Sequence, residues 1–276
     1  MTDGPGFAQF LSASDEITRG ASTPSTLPVW QRELLFARDT PCVTFDHHEY
    51  NDFTNTKYPI MTLDTMHQKS FFFGSTELSA IRRFFPETLK HCSTFDMLSA
   101  SLWRCRTIAL DPNLEDEIRF MFPVNARTMF NPPLLVGYYG NCLATACAIS
   151  TARDLLHEPL GYAIELVRKA KALVSEEYVR STIDLMAIRG RRFTSTFAWT
   201  FTISNLSRVG LNEVDFGWGK AAYGGPATGG LDFLPGVLSY YMSSTNKKGE
   251  SGIMVLISLP SGPMEKFVKE LNNMLM

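Results

Sequence analysis

The sequence predicts a layered α/β fold, and its pattern of apolar residues carries this prediction. Segments with apolar side chains at helical spacing alternate with shorter strand-like runs, and some of those runs follow one another without a helix between them. A chain of 276 residues with 45% hydrophobic and 20% charged residues can bury a substantial core, as ordinary globular proteins do. The sequence shows no internal repeat, and its length fits one large domain or two modest ones.

Helices are predicted wherever apolar residues recur every three to four positions. The first covers 7–19 and lies between Pro5 and Gly20, which are start and stop signals. A second helix, over 94–109, begins after Ser93, a residue that caps helices. The remaining predicted helices cover 75–85, 159–188 and 264–275.

Strands are predicted where apolar and polar residues alternate. The clearest run is 193-FTSTFAWTFTIS-204, in which Phe197, Trp199 and Phe201 share one parity and threonines occupy the other. The other predicted strands cover 71–73, 118–124, 237–243 and 253–260. The stretch 21–59 is rich in Pro, Ser and Thr, so we expect a linker or a segment that lies against another part of the protein.

The composition argues against several classes of function. With 26 Lys and Arg against 28 Asp and Glu, the net charge is −2, so neither nucleic acid nor a membrane surface is an expected partner. The five cysteines form no C-x-x-C pair, which predicts reduced thiols and neither a disulfide framework nor a zinc site. The N-terminus lacks the features of a signal peptide, and the longest apolar run, 134–150, contains Asn141. We therefore expect a cytoplasmic protein.

The stretch 47-HHEYND-52 has the residue types of a catalytic or metal-binding site. In an extended segment His47 and His48 point to opposite sides, so they cannot share one metal ion without a special turn. A histidine base needs a walled pocket, whereas the surrounding stretch 43–56 is polar. The pattern favours a solvated loop, and a metal hydrolase built on His47, His48 and Asp52 is the weaker alternative.

Two glycine-rich stretches are further candidates. The stretch 224-GGPATGG-230 lacks the Lys-Ser/Thr of a P-loop and the G-x-G-x-x-G spacing, so a flexible turn is favoured over a phosphate site. In 215-DFGWGK-220 two glycines flank a tryptophan, which allows a tight backbone path around a large ring while Asp215 holds the turn. The residues alone predict a structural turn there.

Several motifs, taken in chain order, resemble those of one known family. They are 3-DGPGFAQFLSASDEITRG-20, 28-PVWQREL-34, 94-TFDMLSASLWRCRTIAL-110, 125-NARTMFNPPLLVGYYGN-141, 159-PLGYAIELVRKAKA-172, 215-DFGWG-219 and 222-AYGGPA-227. Together they cover essentially the whole chain and resemble the BAHD family of plant acyl-CoA-dependent acyltransferases. The resemblance is to the branch of benzyl alcohol benzoyltransferases and alcohol acyltransferases.

The resemblance implies a particular layered α/β fold. Members of the family are built from two domains that resemble chloramphenicol acetyltransferase, with a solvent channel between them. For this chain the resemblance implies an incomplete first domain and crossover loop over 1–60, followed by a nearly complete second domain over 61–276.

The resemblance also implies where the family's catalytic motif, His-x-x-x-Asp-Gly, would lie. Asp3 and Gly4 match its Asp-Gly, so the general-base histidine falls upstream of Met1 and no catalytic residue is expected within the sequence. The aspartate of the motif is structural, and Asp3 is expected to pair with Arg127. The stretch 47–52 has the letters of the motif but follows the helix that should come after it, so we expect no chemistry there.

The second family motif is expected to be structural as well. It lies away from the reaction centre in the family and supports domain structure and the use of coenzyme A. On this sequence it comprises Asp215, Phe216, Gly217, Trp218 and Gly219. Neither motif implies a metal ion.

The function implied by the resemblance is transfer of an acyl group, of the acetyl or benzoyl type, from a CoA thioester to a small-molecule alcohol by a monomer. Acyl-CoA is then a co-substrate, and no bound cofactor is expected. The phosphates of CoA need basic partners, for which the candidates are Lys171, Arg189, Arg191, Arg192 and Lys220. The alternative is a non-catalytic remnant or pseudoenzyme that binds CoA or a partner without turnover, because the sequence lacks the general base.

Overall fold

The computed structural model describes residues 2–51, 63–190, 199–228 and 235–276 of the chain. The helices are α1 Gly4–Thr18, α2 Ser75–Arg82, α3 Thr94–Leu110, α4 Ala152–His157, α5 Leu160–Leu173, α6 Glu176–Arg189 and α7 Ser261–Leu275. The strands are β1 Met66–Phe73, β2 Glu117–Asn125, β3 Leu143–Thr151, β4 Thr200–Asn205, β5 Leu238–Thr245 and β6 Ser251–Pro260. Helices and strands are mixed along the chain, as the layered α/β prediction requires.

All six strands form one sheet in the order β1-β6-β5-β4-β2-β3. The neighbours β5, β4 and β2 are parallel, whereas β1 and β6, β6 and β5, and β2 and β3 are antiparallel. The carboxyl ends of β2, β4 and β5 therefore meet at one edge of the sheet. In α/β sheets this is the edge outside which ligands bind.

The core lies between the sheet and a layer of helices centred on α3. Helix α3 packs against α5 and α7, α5 packs against β3, and α7 packs against β6. Trp103 of α3 is 1% exposed, and its ring centroid lies 5.7 Å from that of Phe120 on β2. Phe120 in turn lies 5.5 Å from Phe122 and 5.8 Å from Phe201, so aromatic contacts join the helix layer to the central strands.

The predicted helix over 159–188 is wrong as a single element, because the structure contains two helices there. Val174 is extended, with φ −72° and ψ 97°, and ends α5. Ser175 then caps α6, since its hydroxyl oxygen accepts a hydrogen bond from the amide of Tyr178 at 3.2 Å. The Ser175 side chain stabilises the start of α6, so the break between the two helices falls at residues 174–175.

The sequence analysis missed β3, which lies within the apolar run 134–150. Its residues alternate between buried and half-buried, and the buried positions include Ala144, Ala146 and Ala148. Alanine is depleted in strands, so the segment lacked the β-branched and aromatic residues that mark a strand. Here the alanines allow α5 to pack closely on the sheet.

The other predicted strands are present with shifted bounds. Of the run 193–204, residues 193–198 lie outside the described part of the chain, and β4 begins after Trp199, whose φ is +49°. The predicted domain boundary near residue 60 also lies outside the described ranges and stays a prediction. No helix in the ranges that the structure describes has both the length and the apolar character needed to cross a membrane.

Candidate functional site

The first turn of α1 lies tightly against the loop between β2 and β3. Asp3 caps the helix, with its Oδ1 accepting a hydrogen bond from the amide of Gly6 at 2.9 Å. A Cβ atom on Gly6 would lie 2.3 Å from the carbonyl oxygen of Tyr139, so a side chain at this position would force the helix away from the loop. The hydroxyl of Thr2 donates to the same oxygen at 2.5 Å. The start of α1 is therefore placed by contacts with residues more than a hundred positions away.

Asp3 and Arg127 form a bidentate ion pair beneath this turn. Arg127 Nη2 lies 2.8 Å from Asp3 Oδ1, and Arg127 Nη1 lies 2.8 Å from Asp3 Oδ2. The same guanidinium donates to the carbonyl oxygens of Tyr138 at 3.1 Å and Gly140 at 2.7 Å. The Asp3 side chain is only 1% exposed, so its charge has little water around it. The structure thus contains the ion pair that the resemblance implied, and its structural role stays a prediction.

The surroundings of Asp3 keep its carboxylate charged. Burial alone raises the pKa of Asp3, but hydrogen bonds from Arg127 and from the amides of Cys142 and Gly6 outweigh it, so the pKa lies below its ordinary value. The Cys142 amide donates to Asp3 Oδ2 at 2.9 Å. Because Asp3 faces a neutralising partner, it is unsuited to accept a proton from a substrate near neutral pH.

Two cavities of about 440 Å³ each lie on either side of this anchored turn. The apolar cavity is bounded by α1 residues such as Phe7, by Phe216 and by the glycines at 224 and 225. None of its lining residues, all in the described part of the chain, carries a charge. The polar cavity is bounded by the carboxyl ends of β2 and β4, including Asn125 and Asn205, and by Arg208. Its position matches the ligand-binding edge of the sheet.

Gly4 and Leu206 line both cavities and therefore lie between them. A Cβ atom on Gly4 would lie 3.4 Å from Leu206 Cδ2. The backbone of Leu206 is fixed by a hydrogen bond from its amide to the carbonyl oxygen of Tyr241 at 2.8 Å. Directly after the end of β4, Leu206 thus separates a space suited to hydrocarbon from one suited to polar groups.

A groove of about 320 Å³ continues from the polar cavity towards the start of α3. It shares Asn205 and Arg208 with the polar cavity and reaches Ser93, Thr94 and Lys171. The Arg208 side chain is exposed, and within the described ranges it forms no hydrogen bond or ion pair. Arg208 thus presents a cation, unpaired within the described part of the chain, where the groove meets the polar cavity, and such a cation suits an anionic ligand.

The loop 215-DFGWG-219 is a turn held by its own aspartate. Asp215 Oδ1 accepts hydrogen bonds from the amides of Gly217 at 2.9 Å and Gly219 at 2.8 Å, and these bonds hold the pKa of Asp215 below its ordinary value. Gly217 and Gly219 have φ values of +98° and +107°, which side chains disfavour. The predicted turn is present. The prediction that the backbone wraps around the ring of Trp218 is wrong, because this side chain is 92% exposed.

Comparisons with known proteins agree with this fold and with the order of the motifs. Residues 1–274 match the model of the Transferase family, the acyltransferase family whose motifs the sequence resembles. The chain belongs to the BAHD family. It is 56% identical over 275 residues to benzyl alcohol O-benzoyltransferase of Petunia hybrida, covering 100% of this chain and 60% of that protein.

Two further comparisons extend this result. The chain is 45% identical over 276 residues to alcohol acyl transferase 2 of Malus domestica, covering 98% of this chain and 59% of the relative. The crystal structure of TRI101 from F. sporotrichioides, complexed with coenzyme A and T-2, superposes with a TM-score of 0.69 at 20% identity. That match covers 99% of this chain and 63% of TRI101 and confirms the predicted fold class. The chain spans about 60% of the length of the curated relatives.

The basic residues proposed as partners of CoA are not all available in this BAHD chain. Lys171 lines the groove, although its Nζ already bonds Asp96 at 2.5 Å. Lys220 is paired with Glu213, and Arg189 donates to a backbone carbonyl. Arg191 and Arg192 lie outside the described residues. The sequence analysis missed Arg208, whose position in a loop after β4 gave no local signal.

The prediction of a solvated loop at 47-HHEYND-52 is wrong for two of its residues. His47 is 5% exposed and Glu49 is 4% exposed, and both pack on α6. His48 is exposed, so the two histidines do point to opposite sides, and Asp52 lies outside the described part of the chain. Polar residues tolerate this burial because α6 supplies hydrogen-bond partners, which the local sequence does not reveal.

The glycines at 224 and 225 form a wall of the apolar cavity, and Ala227 and Thr228 lie in a turn, whose flexibility stays a prediction. A Cβ atom on Gly224 would lie 2.6 Å from Leu211 Cβ, and one on Gly225 would lie 2.5 Å from Met242 Sδ. Close packing therefore explains both glycines. Residues 229–230 of this stretch lie outside the described ranges. Within those ranges no cluster of three His, Cys, Asp or Glu side chains is arranged to hold a metal ion.

Replacing Asp3 with asparagine should keep the helix cap and break the ion pair. We expect Asp3→Asn to lower the free energy of unfolding by about 3 kcal/mol, because Arg127 keeps its charge without a carboxylate. Because the pKa of Asp3 is lowered in the folded protein, the ion pair contributes its full stabilisation above the ordinary carboxyl pKa. That stabilisation is lost as the pH falls through the folded-state pKa. Urea unfolding should therefore show the difference at pH 7 and a smaller one at pH 3.

The matched control for this ion pair is Glu115→Gln. Glu115 pairs with Arg153 on the surface, where both side chains are more than half exposed. Exposed pairs contribute little, so the control should change the stability by less than about 1 kcal/mol. Equal effects of the two substitutions would contradict the anchoring role of Asp3.

The two glycines of the DFGWG loop should resist substitution. We expect Gly217→Ala and Gly219→Ala each to lower the free energy of unfolding by about 1–2 kcal/mol, because alanine is strained at their φ values. Gly262→Ala is the control, since Gly262 lies in α7 with no atom from outside that helix within 4 Å of a Cβ position. We expect this substitution to leave the free energy of unfolding unchanged or to raise it. If urea unfolding of Gly217→Ala matches that of Gly262→Ala, backbone strain does not explain these glycines.

Proposed function

We propose that the site at the start of α1 serves acyl-CoA-dependent O-acyl transfer to an alcohol. The observation that carries this proposal is the pair of cavities on either side of an anchored helix start. One cavity has no charged lining residue, and the other has an arginine with no partner among the described residues. A CoA thioester needs both kinds of space, because its phosphates are anionic and the transferred group is apolar. The relatives named above, a benzoyltransferase and an alcohol acyl transferase, support the same reaction class.

Each cavity has a proposed task. Arg208 in the polar cavity would bind an anionic group of acyl-CoA, and the groove towards Lys171 would follow the rest of the carrier. The apolar cavity would hold the hydrocarbon part of the acyl group or the alcohol, because burying a charge there would cost several kcal/mol. Leu206 would then limit the size of that group.

The reaction needs a general base that takes the alcohol proton while the alcohol oxygen attacks the thioester carbonyl. The coenzyme A thiolate then leaves as the ester forms. The family motif places this base four residues before Asp3, and no histidine lines either cavity in the part of the chain that the structure describes. We propose that this polypeptide positions the start of α1 and binds acyl-CoA without supplying the base.

Further proposals follow from the resemblance and from the composition of the sequence. They are the two-domain division at residues 1–60 and 61–276, a monomeric state, a cytoplasmic location, and no nucleic-acid or membrane partner. The acyl group and the alcohol are proposed only as classes, because the named relatives differ in substrate. A non-catalytic protein that binds CoA is the second candidate function, and it is favoured by the lack of a histidine among the described residues that line the two cavities.

The role of Arg208 can be tested by binding of coenzyme A. We expect Arg208→Gln to weaken CoA binding about tenfold, because a charge-assisted hydrogen bond to phosphate is lost. Arg168→Gln is the control, since Arg168 is an exposed arginine on α5 that pairs with Glu165 at 3.1 Å. Isothermal titration calorimetry should show unchanged CoA affinity for the control. Equal weakening in both variants would contradict a specific site at Arg208.

The absence of the base can be tested by an assay of the polypeptide 1–276 alone. We expect benzoyl-CoA and benzyl alcohol to yield no thiol release above the uncatalysed background, measured with a thiol-reactive chromophore. The Petunia relative, assayed in the same buffer, is the positive control. Turnover comparable to that of the relative would show that another residue supplies the base.

A further inference from the structure

Residues 38–50, which we call the strap, run along one face of α6. Glu177, Ser181 and Asp184 lie on that face, at the spacing of successive helix turns. Asp184 accepts hydrogen bonds from the amides of Arg38 at 3.0 Å and Cys42 at 2.9 Å. The strap is therefore attached through its backbone as well as through its side chains.

The middle of the strap is held by a buried chain of three polar side chains. His47 Nε2 lies 2.8 Å from Ser181 Oγ, and His47 Nδ1 lies 2.9 Å from Glu49 Oε1. The hydroxyl of Tyr178 donates to the same Glu49 oxygen at 2.6 Å. Ser181 is fully buried, and His47 and Glu49 are nearly so. Nothing in the proposed transfer reaction uses this cluster.

The hydrogen-bond partners determine which nitrogen of His47 carries the proton. Ser181 Oγ accepts hydrogen bonds from the amides of Thr44 at 2.9 Å and Phe45 at 3.3 Å, and amides can only donate. The hydroxyl proton of Ser181 therefore points to His47 Nε2, which must be an unprotonated acceptor. The other nitrogen, Nδ1, then carries the proton and donates it to Glu49.

The order Ser181, His47 and Glu49 matches that of a catalytic triad, but the serine cannot act as a nucleophile here. Its side chain is 0% exposed, and both of its acceptor positions are occupied by the strap amides. A nucleophile needs an approach path for the substrate and a free lone pair. The arrangement instead attaches the strap to α6.

We propose that Ser181, His47 and Glu49 form a proton-sensitive latch that holds the strap on α6 when His47 is neutral and releases it when His47 is protonated. A protonated Nε2 becomes a donor and competes with the amides of Thr44 and Phe45 for the Ser181 oxygen. The latched form binds the deprotonated imidazole, so lowering the pH favours the released form.

Three titratable groups that α6 places around His47 keep their charge state between pH 5 and 8. Hydrogen bonds from Thr44 and Arg38 hold the pKa of Glu177 below its ordinary value. Burial raises the pKa of Asp184, but hydrogen bonds from the strap outweigh it and hold the pKa low. Burial raises the pKa of the Tyr178 hydroxyl, and the charge of Glu49 raises it further.

Further neighbours lie on the strap, on β2 and on β3. Burial raises the pKa of Tyr50 and of Cys147 on β3 to about 12 each. Arg119 and Glu117 on β2 pair with each other at 2.7 Å. Imidazole is the side chain that ordinarily changes charge between pH 5 and 8, and the strap contains two, His47 and His48. Substitution of His47 alone therefore distinguishes its response from that of His48.

Hydrogen–deuterium exchange of the whole polypeptide 1–276, followed by mass spectrometry, tests the latch. After correction for the intrinsic effect of pH on exchange, we expect the strap amides to open about fivefold more at pH 5 than at pH 7.5, as loss of one typical hydrogen bond implies. His47→Gln should abolish this response, because glutamine does not titrate. His157→Gln should keep it, since His157 is exposed at the end of α4.

Protection of α3 serves as the reference for folding in every variant. If His47→Gln loses that protection, the tautomer of His47 is measured instead, from the NMR chemical shifts of the imidazole nitrogens in the unsubstituted protein. The latch requires the Nδ1–H form of His47 at pH 7.5, so an Nε2–H form at that pH would overturn the proposal. Strap exchange that is independent of pH, or equally pH-dependent in His47→Gln, would overturn it as well.

Discussion

The ion pair between Asp3 and Arg127 joins the start of α1 to the rest of the fold, and the two cavities lie on either side of this contact. The carboxylate caps the helix and receives two charged hydrogen bonds at 2.8 Å, so one buried group contacts both the helix start and Arg127. Gly4, the next residue, lines both cavities. A shift of the helix start would therefore change the shape of both spaces at once.

The parallel arrangement of β2, β4 and β5 supplies the other half of the site. Their carboxyl ends meet at one edge, where Asn125 and Asn205 face the polar cavity and Leu206 closes the apolar one. The sheet thus places polar and apolar walls side by side within a few residues of the same strand end. This division suits a thioester of coenzyme A, whose anionic carrier and apolar acyl group need different surroundings.

The strap and the Asp3 anchor use the same physical rule in different places. Each buries an acidic side chain, Glu49 or Asp3, and each satisfies it with hydrogen-bond partners that include a residue more than a hundred positions away, Tyr178 or Arg127. A buried polar group with all its partners orients the segment that carries it, whereas one without them would destabilise the fold. In the strap the partners include a histidine, so the attachment can respond to protons.

The sequence by itself determined the family, most helices and the turn at Asp215, because these depend on residues close together in the chain. These signals act locally and can be recognised in the sequence: they are helical periodicity, the capping residue Ser93 and the glycine pair of the DFGWG loop. Only the tertiary structure revealed the alanine-rich strand β3, the position of Arg208 at the polar cavity and the burial of His47. Each depends on partners brought together from far along the chain, and His47 lies 134 positions from the serine that it contacts. Polarity and periodicity describe one segment at a time, whereas burial of a polar group is decided by the segment that packs against it.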